Sequence, residues 1–330
     1  MYSIFFIISI ILVLVHIYQK KNNAKCKSTK QLNGKTVIVT GGTLGIGVRI
    51  ALNFARRGAR VIIACPYEKE GTNARRVIIQ KTENRNVIYK CLDLANLESV
   101  RNFAKDILKN EDRLDILVNN AGVGVVGDFL TEDGMNFIMQ VNYYGHFLLT
   151  LLLLPLLSKT GTESEKSRII NATSMLRAQG SLDVENYNRV GYWYQLSIYS
   201  NSKLSVVLFS KALTRRLRNH NIVINNADPG LVATRIYESY NIVVGYILKY
   251  LLFAFFKNPW EGAQTAIHVA LDDDAGIVSG QVFENCKMTD KAWTFPWRES
   301  KNMDQAAEKL WDQSVKLVKL ENSELGILKL

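Results

Sequence analysis

Residues 36–47 read TVIVTGGTLGIG. The first five form a β-branched run of strand length, and Gly41, Gly42, Gly45 and Gly47 crowd the turn that follows. From there to Ala55 the pattern is helical. A strand, a glycine-rich turn and a helix in that order aim backbone N–H groups at a helix N-terminus, where a pyrophosphate can be held. Glycines alone would also serve a tight turn; their place between strand and helix is what gives them the phosphate-binding reading.

Outward from that turn, short apolar runs alternate with helical stretches. Strands are predicted at 60–65 (RVIIAC), 87–91 (VIYKC), 115–119 (DILVN), 168–173 (RIINAT), 222–226 (IVINN) and 281–285 (QVFEN). Near-continuous apolar strands separated by helices imply a parallel sheet covered on both faces. Right-handed crossovers then give an α/β, doubly wound dinucleotide-binding (Rossmann) domain of seven strands, expected over residues 34–320 with a tail at 321–330. A last helix, about 303–318, puts Met303, Ala307, Leu310, Trp311, Leu317 and Val318 on one stripe and is expected to dock on the body.

The net charge of +11 would suggest nucleic acid until it is located. Five lysines, Lys20, Lys21, Lys25, Lys27 and Lys30, crowd one short segment, and the rest of the excess is scattered over helix faces such as Arg215, Arg216 and Arg218. That distribution argues against a nucleic-acid partner. Cys26, Cys65, Cys91 and Cys286 are dispersed, as are the four histidines, so neither a metal site nor a disulfide framework is expected.

Residues 2–18, YSIFFIISIILVLVHIY, hold no charged side chain besides a neutral His16. As a helix they would cover about 25 Å, close to the ~30 Å hydrocarbon core. The lysines follow the run instead of preceding it, which favours a transmembrane signal anchor at 1–19, a basic tether at 20–33 and a cytosolic body. The alternative is a cleaved signal peptide and a secreted protein. The sequon at Asn171 would matter only for a lumenal domain, and its predicted strand is buried.

Further residues carry chemistry. Asp93 follows the third strand; Asn119-Asn120-Ala121-Gly122 closes the fourth; Asn142 sits in VNYYGHF; Ser174 ends the fifth strand. Tyr199 and Lys203 lie one helical turn apart, on one face. Asp228-Pro229-Gly230 follows the sixth strand, with Thr234 downstream. Singly, each has an ordinary reading: Ser174 a strand-end hydroxyl, Asn142 a surface amide, Asp93 a helix cap. A Tyr-x-x-x-Lys pair is expected by chance about once in such a chain. The order of all six motifs is not.

That set resembles the short-chain dehydrogenase/reductase superfamily, across essentially the whole body. The resemblance implies an NAD(P)-dependent oxidoreductase acting on an alcohol or carbonyl. In it Tyr199 is the acid/base, Lys203 lowers the pKa of that tyrosine and binds the nicotinamide ribose, Ser174 donates to the substrate oxygen, and Asn142 connects Lys203 to water. It also implies cofactor contacts by Gly41, Thr43, Gly45, Ile46, Gly47, Asp93, Asn119, Ala121, Gly122, Pro229, Gly230 and Thr234.

The segment after the second strand, Ala64-Cys65-Pro66-Tyr67-Glu68-Lys69, carries neither the acidic residue that selects NAD nor the arginine that selects NADP, so either or both are expected. The runs TGGTLGIG, VNYYGHFLLT, ADPGLVAT and FKNPWEGA resemble the X-linked dehydrogenase/reductase branch, a neighbour of the retinol dehydrogenases. This implies a polyisoprenoid substrate (polyprenol or dolichal type) and an endoplasmic reticulum membrane. The alternatives are retinol or a steroid and, in another class, a silent dinucleotide-binding interaction module. The family also allows a homodimer through the helix carrying Tyr199. Residues 241–256, NIVVGYILKYLLFAFF, are more apolar than an exposed lid requires. They read as a lid for a lipophilic substrate or as a core or dimer helix.

Overall fold

The computed structural model describes residues 13, 17, 20–21, 23–124, 126–191, 194–232, 257–289, 300–324 and 326–328. Seven strands lie parallel: β1 (Thr36–Thr40), β2 (Arg60–Cys65), β3 (Val87–Cys91), β4 (Ile116–Asn119), β5 (Ser167–Ala172), β6 (Ile222–Asp228) and β7 (Val282–Glu284). Their order, β3-β2-β1-β4-β5-β6-β7, reverses between β1 and β4. In a doubly wound sheet that reversal opens the crevice where ligands bind.

The all-parallel expectation fails at one edge. An eighth strand, β8 (Lys287–Met288), returns antiparallel to β7, with Glu284 opposite Lys287. The two residues between them, Asn285 and Cys286, have φ of 47° and 55°. Two left-handed residues make the type I′ turn whose twist matches a tight hairpin. Ends of β4, β5, β6 and β7 also differ from the expected ones, by one or two residues. β4 begins after Asp115, whose carboxylate accepts the Thr36 N–H at 2.9 Å and pairs with Arg113. β6 runs on to Asp228 because β7 pairs it there.

Strand alternation feeds two cores. Ile38, Leu117, Ile169 and Ile224 face one side, under α3 (Leu97–Asn110), α4 (Phe137–Thr160), α5 (Gln195–Arg216) and α7 (Ser300–Leu317). Val37, Val39, Ile63, Val118 and Ile170 face the other, under α1 (Gly45–Arg56), α2 (Glu68–Thr82) and α6 (Pro259–Leu271). Among the described residues, α4 is the one helix long and apolar enough to cross a membrane; 83% of its apolar window is buried in this fold, so it is a core helix here. The expected anchor over 1–19 lies outside the described residues apart from Val13 and Ile17, and the run 241–256 and Thr234 lie wholly outside them.

Both flanks of the domain pack on it. Leu32 is buried, and Arg57 donates to the carbonyls of Ser28 and Lys30 at 2.8 and 2.6 Å. At the other end Leu328 is buried in the first core and Arg101 holds Glu324 at 2.8 Å, so residues expected as a tail fold back onto α3.

The last helix docks as its stripe predicts. Trp311 is buried edge-on to Phe147 at 5.2 Å and stacked on Phe209 at 6.2 Å, with the Arg216 guanidinium 4.0 Å over its ring. Truncating such a residue removes apolar burial and leaves a cavity. Trp311→Ala should therefore cost about 3–5 kcal/mol in urea unfolding, and Trp311→Phe clearly less. Equal losses would mean that α7 is held by its rim ion pairs instead.

Candidate functional site

The glycine turn takes its shape from backbone geometry. Gly41 and Gly45 have φ of 62° and 55°, the left-handed region that favours glycine. Gly47 is required for another reason: a Cβ there would stand 2.1 Å from the Gly41 carbonyl oxygen. The helix that follows has no acidic residue in its first turn, and Leu44 at its N-cap makes no side-chain cap. Its leading N–H groups and positive dipole end therefore meet no carboxylate of their own helix.

Thr40 ties this turn to the next. Its Oγ1 accepts the N–H groups of Asn120 (2.9 Å) and Ala121 (3.0 Å) and lies 2.9 Å from His146 Nε2. His146 Nδ1 lies 3.4 Å from the Asn142 carbonyl, which can only accept. The ring proton therefore belongs on Nδ1, and the threonine donates to Nε2. Burial drives the His146 pKa down to about 3, so the ring stays neutral.

Asn142 stands in a π-helical turn, Gln140–Tyr144, inside α4. A π-turn displaces side chains from the regular helical register, here at a site residue. The Asn142 amide accepts the Val123 N–H at 2.8 Å and donates to the Val123 carbonyl and Ser202 Oγ, both at 3.0 Å. It clamps the loop after β4, and its hydrogen bonds go to that loop and to α5. Gly122 sits between it and Lys203: a Cβ there would lie 3.1 Å from Asn142 Oδ1 and 3.4 Å from Lys203 Nζ.

Tyr199 and Lys203 project from α5 into one cavity of about 90 Å³, walled by Ile46, Asn120, Gly122, Thr173 and Pro229 and by Gly262 and Ala266 of α6. Lys203 is 5% exposed and donates to the Ala172 carbonyl at 3.2 Å. Its ammonium stands 5.7 Å from the centre of the Tyr199 ring. Burial lowers its pKa to about 8, with Asp228 pulling the other way. It is therefore still mostly charged at neutral pH. Ser174 does not line the cavity. It caps the 3₁₀ turn Met175–Gln179, its Oγ accepting the Leu176 N–H at 3.2 Å, which leaves its O–H to donate.

Other expected residues divide. Ile46, Gly122 and Pro229 reach the cavity wall. Asn119 does not: its amide donates to Thr150 and Asn171 at 2.9 and 2.8 Å inside the core, and its neighbour Asn120 lines the cavity instead. Thr43 is buried in the glycine turn, and Ala121 packs under Gly41, whose added Cβ would meet Ala121 Cα at 2.9 Å. Asp93 accepts the Ala95 N–H at 2.9 Å, an Asx turn leading into α3. Asn171 is 2% exposed and donates to Ser210 at 3.0 Å, so the sequon is closed to a glycan in the folded chain.

Sequence reasoning missed Arg177. Its buried guanidinium donates to Asp228, to Glu284 (2.5 Å) and to the Ser174 carbonyl (2.9 Å). Asp228 in turn accepts the Gly230 N–H at 2.8 Å. Burial pushes the Asp228 carboxyl up while Arg177 pulls it down. One cation thus fixes the serine turn against the Pro-Gly loop. The available signal was Asp228 itself, an acid closing an otherwise apolar strand and needing a partner. His146 and Gly262 gave no such signal.

The Lys203 shift has a sign that can be tested. The amine binds its proton below about 8 in the fold and below about 10.5 when unfolded. Stability therefore rises with pH between those values, and the burial penalty is fully present below about 8. Lys203→Met should raise stability by about 2–3 kcal/mol at pH 7 and much less at pH 10, read by urea unfolding at both. A loss of stability at pH 7 would show that the charge is compensated in place.

The short chain dehydrogenase family matches residues 35–242, more than half the chain. Mouse retinol dehydrogenase 13 is 38% identical over 300 residues, covering 89% of this chain and 87% of that protein. Mouse retinol dehydrogenase 11 is 37% identical and covers 94% of each. Among solved structures, a Mycobacterium paratuberculosis protein superposes with a TM-score of 0.66 at 28% identity, over 88% of this chain and 96% of that one. The NADP complex of Pseudomonas aeruginosa RhlG gives 0.61 at 25%, over 77% and 95%. With its matched residues spanning the glycine turn through the Pro-Gly loop, this chain belongs to the short chain dehydrogenase family.

Proposed function

We propose that this chain is an NAD(P)-dependent oxidoreductase that moves a hydride between a nicotinamide and a lipophilic alcohol or carbonyl, Tyr199 exchanging the proton. The observation that carries the reading is the shared cavity: a phenol and a buried ammonium on one helix turn, beside the Pro-Gly loop and Gly122. The glycine turn suits the dinucleotide, since a backbone with no room for a Cβ at Gly41 or Gly47 lies next to a helix end without its own carboxylate. Gly41, Ile46, Gly122, Lys203 and Pro229 would hold it, and when bound it would supply the hydride acceptor or donor.

The protein's own part is proton transfer and positioning. A phenol of pKa ~10 is a weak base at neutral pH, and the Lys203 cation favours its phenolate. The Ser174 O–H is suited to donate to the substrate oxygen as negative charge develops there. Arg177 keeps that serine's turn in register with the Pro-Gly loop. A silent binding module would not need both Tyr199 and Lys203 at the cavity wall.

Either NAD or NADP is compatible with the end of β2, where Pro66 and Tyr67 precede α2. For the substrate we favour a polyisoprenoid alcohol or aldehyde over retinol or a steroid, on the likeness of four sequence runs, with retinol supported by the names of the relatives. We place the body on the cytosolic side of a membrane, anchored by residues 2–18, with one domain from 34 to 320. A homodimer through α5 would have to use what α7 leaves uncovered, since Trp311 and the Arg215–Glu308 pair already occupy part of that helix.

Two experiments bear on this reading. Tyr199→Phe should lose ~10²–10⁴-fold in turnover while binding the dinucleotide with little change; near-native turnover in that variant would refute the role of the phenol. Purified full chain should be assayed with polyprenol and all-trans-retinol, each with NAD and NADP. Replacing Leu251, Leu252 and Phe255 together with serine should weaken the longer substrate more than the shorter one, and equal losses would count against a lipid-contacting lid.

A further inference from the structure

We propose that the end of α6 bearing Asn258–Glu261 is the surface of the folded body that lies on an anionic lipid bilayer, which puts the Tyr199 cavity on the membrane side of the domain. The inference rests on reading residues 2–18 as a membrane anchor, and it adds the body's orientation to that reading.

The chain after the anchor is strapped to α6 along its length. Lys20 Nζ binds Glu261 Oε2 at 2.5 Å, the Cys26 N–H donates to Gln264 Oε1 at 3.1 Å, and Ser28 Oγ donates to the Leu271 carbonyl at 3.3 Å. From Glu261 to Leu271 this path climbs about 15 Å of helix. The chain therefore enters the body at the N-terminal end of α6. Lys20 stands two residues beyond Tyr18, where the apolar run ends, so at most ~7 Å of backbone separates them. The headgroup layer on each side of the hydrocarbon is about as thick. Glu261 is thereby held at headgroup depth, with its charge met by Lys20.

The two ends of α6 differ in the way this placement requires. At the Asn258–Glu261 end Trp260 is 41% exposed with the Lys25 ammonium 5.5 Å from its ring centre, and Lys21 and Lys25 are exposed. An amphipathic indole and clustered lysines suit an interface carrying anionic lipid. The far end carries Asp272, Asp273 and Asp274, the last two exposed, and then Ile277, 72% exposed. Three carboxylates there oppose contact with the same surface. Gly262, which walls the Tyr199 cavity, follows Glu261 directly at that end of the helix, and Ala266 walls it one turn further on.

The test uses the full chain in phosphatidylcholine vesicles containing phosphatidylserine, with a photoreactive benzophenone amino acid installed at position 260 or at position 277. Lipid adducts read by mass spectrometry should form at 260 and not at 277, and Lys20→Ala combined with Glu261→Gln should reduce those at 260 while the protein still floats with the vesicles. Adducts equal at both positions, or absent at 260 in floating protein, would overturn the orientation and leave the anchor standing. Protein that fails to float would overturn the anchor, and the orientation with it.

Discussion

The Thr40 hydroxyl takes two backbone N–H groups from the turn after β4 and gives its proton to His146 on α4. Three motifs far apart in sequence meet at that one oxygen: the glycine turn, the Asn-Asn-Ala-Gly turn and the helix that carries Asn142. All of its partners are uncharged, because burial keeps the histidine neutral. A charged ring there would need a counter-ion in the crevice floor. With neutral partners the crevice keeps its geometry without competing for the charges that a ligand brings.

Beside the crevice, the two buried cations Lys203 and Arg177 have different tasks. Lys203 donates to the Ala172 carbonyl, a neutral acceptor, so its charge is left to act on the nearby phenol. Arg177 is enclosed by two carboxylates and a carbonyl, which fixes its position and cancels its field. Replacing one partner of such a pair leaves an unmatched charge in a dry site, which is costly. Acid/base chemistry and rigidity are thus assigned to separate side chains, although both groups lie within reach of Asp228.

How much of this was legible in the sequence depends on the kind of constraint. Strand alternation and the glycine turn were readable because they follow local rules: a two-residue period and a φ that disfavours other residues. Tyr199 and Lys203 were readable because helical spacing places them together. The amide that faces the cavity was not. Asn119 and Asn120 are chemically alike, and only the pleat, which turns Asn119 toward Thr150 and Asn171, tells them apart. Arg177 was out of reach because its partners come from β6 and β7, far along the chain. The β8 return depends on two residues with positive φ that are not glycine, Asn285 and Cys286, so its turn carried no strong signal.

The strap on α6 also decides where the chain can be cut. Trimming the chain to its first strand would remove everything before about residue 34. That cut would strip Leu32 from the second core, leave Arg57 without two of its carbonyl acceptors and bare the side of α6 that Cys26 and Ser28 cover. A shortened chain that keeps these contacts should begin no later than Lys20, retaining the whole strap and discarding only the apolar run.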